Sequence, residues 1–139
     1  MTVPVNKRPR GHVKLEAGLL ADKLLRHTFT IAKNKKIFLE EYYDVFTHKI
    51  IDCVLDIHMY VMRANDINVK KVADKNARLD SQYQAILRCI DLKYLIYQAK
   101  ALFHLKSKKV KYWMKLLEET KQKIRSWRLS DMRRYIEIC

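Results

Sequence analysis

The sequence predicts an all-α fold, an antiparallel four-helix bundle in up-down-up-down order, and three features carry that expectation. Only two glycines and two prolines occur, and Pro4, Pro9, Gly11 and Gly18 all precede residue 19. Beyond them the chain lacks the residues that usually punctuate strands and hairpins. Four segments then repeat apolar side chains at steps of three and four, the spacing of one helix face. The breaks between them are short and polar, and short joins between long helices make sequence neighbours antiparallel.

The first helix is expected from about Leu15 to Lys33, with Leu15, Leu19, Leu24, Thr28, Phe29 and Ala32 along one side, before "NKKIF" interrupts the pattern. The second, from about Glu40 to Asn65, repeats Tyr43, Phe46, Ile50, Cys53, Ile57, Tyr60 and Ala64 as a heptad-like seam. Leu55, Met59 and Met62 widen that seam, which suggests contacts with more than one neighbouring helix. After "DINVKK" the third helix is expected from about Val72 to His104, with Leu79, Tyr83, Ile86, Ile90, Tyr94, Tyr97 and Ala101 on one face. Ser107 reads as the N-cap of the fourth, whose core stripe is Val110, Trp113, Met114, Leu117 and Ile124.

A chain of 139 residues with 49% apolar side chains buries one core, and no break in composition divides it. Three regions follow: a basic, disordered arm over residues 1–12, the bundle over 13–130, and a tail over 131–139 that either continues the last helix or turns away from it. No apolar run approaches the roughly 18 residues of a membrane span, and the basic start has no apolar stretch of signal-peptide type behind it. A cytoplasmic protein is the expectation. Cys53, Cys89 and Cys139 are odd in number, widely separated and without a CxxC spacing, so free thiols are expected rather than a disulfide framework or a zinc knuckle.

The formal charge of +14 and the pI of about 9.8 imply self-repulsion in isolation and attraction to a polyanion or an acidic protein surface. Residues 106–128 carry nine basic side chains against two acidic ones. At 100° per residue Lys108, Lys111 and Lys115 fall opposite the core stripe, while Tyr112, Leu116, Lys123 and Trp127 gather on a flank. A solvated face explains any one of these lysines, but the set exceeds what solubility requires. Spaced lysines match phosphates without burial, and Tyr112 or Trp127 could stack on an unpaired base, although aromatic residues at helical spacing more often pack.

Helix two is the acidic exception: residues 40–66 hold six acids against Lys49 and Arg63. Within it Asp44, His48, Asp52 and Asp56 recur every four residues as one polar ladder. Either the ladder is solvated, or a basic helix of the same bundle or of another subunit packs along it, the second case implying a homo-oligomer.

Catalysis finds little support. His48, Asp52 and Asp56 lie on one helix and lack the convergence a divalent metal needs. Cys53 and His58 turn away from one another, His27, His58 and His104 have no zinc spacing, and no glycine-rich phosphate loop occurs. No catalytic residue, metal site or cofactor is therefore assigned. A membrane-surface role for the last helix is disfavoured because its apolar stripe is committed to the bundle.

Four stretches carry a more specific likeness: "NKKIFLEEYYDVFTHKI" at the first join, "MRAN" at the end of helix two, "LFHLKSKKVKYW" at the third join and "IRSWRLS" near the close. Over about residues 13–130 the chain resembles the four-helix-bundle family that includes the accessory variability determinant of diversity-generating retroelements and the intervening-sequence proteins of bacterial ribosomal RNA genes. It departs from the family where Leu39, not the frequent proline, follows Phe38, and where Tyr43 replaces a common basic residue.

The resemblance to the accessory determinant implies a barrel-shaped homopentamer of bundles whose basic surface engages a reverse transcriptase and its template RNA, with DNA a further partner by the same chemistry. Such a protein supports mutagenic retrohoming without being the polymerase. Carried onto this chain, the contact positions are Lys108, Lys109, Lys111, Lys115, Lys121, Lys123, Arg125 and Arg128, with Arg78 and Arg88 as further candidates. The alternative is the intervening-sequence branch, or a structural module whose basic face binds only protein.

Overall fold

The computed structural model contains helices α1 (Val3–Ala32), α2 (His48–Asp66), α3 (Val72–Phe103) and α4 (Ser107–Arg134), with a 3₁₀ turn over Glu40–Tyr42 and a π-helical turn over Tyr43–Thr47 leading into α2. The structure describes residues 3–36 and 38–139, and the side chains among them except those of residues 3–15 and 42–44. Leu15, Tyr43 and Asp44, each given a face by the sequence pattern, therefore lie outside the described side chains. Among the described residues there is no strand.

Each helix packs on its sequence neighbours, α1 on α2, α2 on α3 and α3 on α4, and α4 closes the ring by packing back on α1. This is the adjacency of a four-helix bundle. The α2–α3 join needs only residues 67–71, and the Asp74 carboxylate on the first turn of α3 accepts the N–H groups of Lys70 and Lys71 at 3.1 and 3.2 Å. Those bonds satisfy donors at a helix start, where the chain has no internal partner for them. The α3–α4 join is shorter still. His104 ends α3 in the left-handed region, φ 52° and ψ 46°, a conformation that costs a non-glycine residue about 1–2 kcal/mol.

The core is one cluster. From α1 it takes Ala17, Ala21, Leu24 and Ile31, from α2 Ile50, Val54, Ile57 and Val61, from α3 Ala85, Cys89, Leu92 and Ile96, and from α4 Trp113, Leu117, Ile124 and Trp127. Burying each large aliphatic chain contributes about 1.5–3 kcal/mol. Small residues at Ala17 and Ala21, fully buried, leave room for the neighbouring helices to approach α1 closely.

Several expectations need correcting. Helix α1 begins at Val3, not near Leu15, and takes in most of the segment expected as an arm. Pro4 fits its first turn, where an N–H has no partner to lose, while Pro9 removes one backbone bond farther in. Leu19 and Phe29 point outward, 60% and 38% exposed, and Ala17, Ala21 and Ile31 line the core.

On α3 the buried face runs through Arg78, Gln82, Ala85, Cys89 and Ile96, one position before most of the expected stripe. A one-residue shift rotates the face by about 100°. Tyr83, Tyr94 and Tyr97 consequently stand 45%, 59% and 49% exposed. A tyrosine reads as apolar in a periodicity count, whereas Arg78 and Gln82 read as polar and yet are paired inside. On α4 the N-cap is Lys106 rather than Ser107, and Leu116 and Trp127 belong to the core instead of an outward flank.

Helix α4 also runs past Ser130 to Arg134, and the residue just beyond the expected bundle boundary, Asp131, is 1% exposed. Asp131 is therefore part of the packed interior, while most of the residues after it are exposed.

Candidate functional site

The inward stripe of α4, Val110, Trp113, Leu117, Thr120, Ile124 and Trp127, fixes what the opposite face shows. Lys108, Lys109, Lys111, Lys115 and Arg125 are exposed. No carboxylate among the described residues pairs with any of the five. Four of them crowd the first turns of α4; Lys108, Lys111 and Lys115 share one strip, with Lys109 about 100° round the helix from Lys108, so like charges stand close together with only solvent to screen them.

The other five sequence candidates are engaged within the bundle. Lys123 makes an ion pair with Glu16 of α1. Lys121 is 9% exposed and pairs with Glu118 at 3.1 Å. Arg128 donates from Nε to the Leu79 carbonyl at 3.0 Å and lies over the Tyr83 ring, 5.2 Å from its centroid. Arg88 lies between Asp91 at 2.8 Å and Asp56 at 3.4 Å. Arg78 is 5% exposed and bonded to Asp131, so it leaves the candidate surface altogether. Lys121 leaves with it. Trp127, suggested as a stacking platform, is 2% exposed and has the Arg78 guanidinium 5.3 Å from its ring; no base reaches it.

Tyr112 is different. It is 45% exposed and borders a cavity of about 420 Å³ with His27, Thr30, Ile31, Asn34, Lys108 and Lys109, between the end of α1 and the start of α4. The His27 ring stands edge-on to it, centroids 4.9 Å apart and planes at 75°. Burial, and then the charge of Lys23, hold the His27 imidazole below its ordinary pKa of 6.5. Beneath this wall Trp113 Nε1 donates to Thr28 Oγ1 at 2.9 Å, which satisfies the buried indole N–H and fixes α4 against α1.

Sequence reading passed over the α1 side of this end, treating "NKKIF" only as a break. Lys33, Lys35 and Lys36 are exposed on either side of Asn34, Lys35 lying 3.9 Å from Glu40. The clue was present: three lysines follow α1 just where an antiparallel α4 must begin.

The acidic ladder of α2 is met only in part inside the chain. His48 Nε2 lies 3.1 Å from Asp52, and Arg88 of α3 reaches Asp56. A basic helix of the same bundle thus supplies part of the charge that the sequence pattern demands. The thiols of Cys53 and Cys89 are free and buried. Cys53 donates to the Arg88 carbonyl at 3.2 Å, and burial, reinforced by Asp91 and Asp56, pushes its pKa up to about 12. Burial also raises that of Cys89.

Among the described residues no three His, Cys, Asp or Glu side chains come together as a metal-binding group. Nor is any helix among them long and apolar enough to cross a membrane. Comparison with known protein families, with curated proteins and with solved structures finds no match to this chain.

Proposed function

We propose that this chain is a non-catalytic nucleic-acid-binding bundle, an accessory factor that holds a reverse transcriptase and its template RNA through the basic face of α4. The observation that carries the reading is the row Lys108, Lys109, Lys111 and Lys115, exposed and unpaired among the described residues, on a chain of net charge +14. A row of uncompensated lysines on a rigid helix releases counterions when it meets phosphate, which supplies affinity without base recognition. The retroelement partner rests on the sequence resemblance, which the charge distribution supports in kind.

Self-association belongs to the same proposal. Leu55, Met59 and Met62 share one face of α2 and stand 38%, 57% and 40% exposed, so among the described residues no helix covers the widened seam. A second copy is the occupant we assign to it, and the resemblance sets the number at five.

The test is co-purification of the full chain with a retroelement reverse transcriptase and its template RNA at moderate salt, using wild type and the Lys108→Gln, Lys111→Gln, Lys115→Gln triple variant. A complex that forms with wild type and is lost in the variant supports the assignment. Failure of both proteins to retain enzyme or RNA sinks it.

A further inference from the structure

We propose that the cavity between the end of α1 and the start of α4 seats one unstacked base of a single-stranded nucleic acid, with its ring against Tyr112 and the adjoining phosphates at Lys108 and Lys109. The inference rests on the phosphate-binding reading of α4 and adds to it the kind of strand and the place where a base is held.

Size and shape come first. About 420 Å³ falls within the range of small-molecule sites and is far too little for a helix or a duplex. Its aromatic wall is preformed. Tyr112 is half-exposed, and its edge-to-face contact with His27 restrains the ring, so little freedom is lost when a base lies against it.

Polar side chains line the same cavity. The Asn34 side-chain carbonyl Oδ1 accepts the Lys36 N–H at 3.0 Å, which fixes the amide orientation and leaves its NH₂ as a donor. Thr30 Oγ1 donates to the Arg26 carbonyl at 3.0 Å and keeps its lone pairs as acceptors.

Lys108 and Lys109 then place positive charge at the mouth, and Lys111 and Lys115 continue the track along α4. Alternating an aromatic platform with a cationic track is the way single strands are bound. A duplex keeps its bases paired and stacked, and reaches only the lysines.

The experiment measures equilibrium binding of the full chain to a labelled single-stranded RNA and to a duplex RNA with the same number of phosphates, at one salt concentration, by fluorescence anisotropy. Wild type is expected to prefer the single strand. Tyr112→Ala should weaken single-strand binding by about 5- to 150-fold, the loss of one base–aromatic stack, and leave duplex binding unchanged. Tyr112→Phe keeps the ring and should bind as wild type, and circular dichroism checks that both variants fold. Equal binding of the two RNAs, or a Tyr112→Ala loss common to both, overturns the base pocket while leaving the phosphate face standing. Absence of binding to either RNA at low salt removes the phosphate face and the pocket together.

Discussion

Arg78 of α3 and Asp131 of α4 meet in the interior, Nε to Oδ2 at 2.7 Å, across 53 positions of sequence. Gln82 Nε2 donates to the same carboxylate oxygen at 2.7 Å, and Arg78 Nη1 donates to the carbonyls of Ala64 and Ile67 at the end of α2, at 3.4 and 3.1 Å. One guanidinium thus ties three helices together and caps one of them. Removing a single partner leaves the other charge buried and unpaired, the costly half of such a pair.

Asp131→Ala should therefore destabilise the fold by about 3–5 kcal/mol, read as a lower urea midpoint. Ending the chain at Ser130 should do at least as much. The double replacement Arg78→Met with Asp131→Leu should recover much of the loss, because it removes both charges. A double variant no more stable than the single one would show that the pair is not the source of the effect.

Phosphate contacts on α4 are counted by salt. The triple variant Lys108→Gln, Lys111→Gln, Lys115→Gln should lower the slope of log affinity for RNA against log salt by about 2–3 units, with helix content unchanged. An unchanged slope would remove this face as the contact surface.

Thiol accessibility follows the burial pattern. Cys53, with its pKa near 12, and Cys89, buried, should resist a thiol reagent at mildly alkaline pH, while exposed Cys139 reacts at once. The reactive form of Cys53 is scarce there, on the order of 10⁻⁴ of the total. One thiol per chain is expected in the folded state and all three in denaturant. Rapid reaction of more than one would contradict the packing around α2 and α3.

Acid should weaken the fold through His27. Its folded pKa lies below the ordinary 6.5, so the unfolded chain takes up the proton first as pH falls. The stability that neutral His27 contributes is complete above 6.5 and is lost as pH drops from there through the lowered folded value. Urea midpoints compared above and below this window should fall less for His27→Gln than for wild type. Equal losses on acidification would place the sensitivity elsewhere.

Self-association should depend on the bare face of α2. Met59 is 57% exposed, so Met59→Lys is compatible with a folded chain and should shift the mass measured by light scattering from an oligomer toward a monomer. A wild-type chain that is monomeric at high concentration would sink the assembly.

Helix number and joins were legible because they depend on local properties. The start of α3 at Val72 follows from the polar break before it, and glycine and proline are confined to the beginning of the chain. Which face of α3 turns inward was not legible. Arg78 and Gln82 can be buried only because Asp131 waits on another helix, and no window of sequence around Arg78 contains that partner. The same limit governed the site. Counting charge found the lysines of α4, but not that Lys123 and Lys121 are paired while Lys108 and Lys109 border a cavity with His27, from a helix 80 residues or so earlier in the chain.

By itself, then, the sequence determined an all-helical chain with short joins and a strongly basic last helix, because periodicity, turn residues and charge act over a few residues. Tertiary structure decided which charges are bonded inside, which tyrosines stand in solvent and where His27 meets Tyr112. Burial and pairing depend on groups brought together from different helices, and only the packed bundle sets those distances.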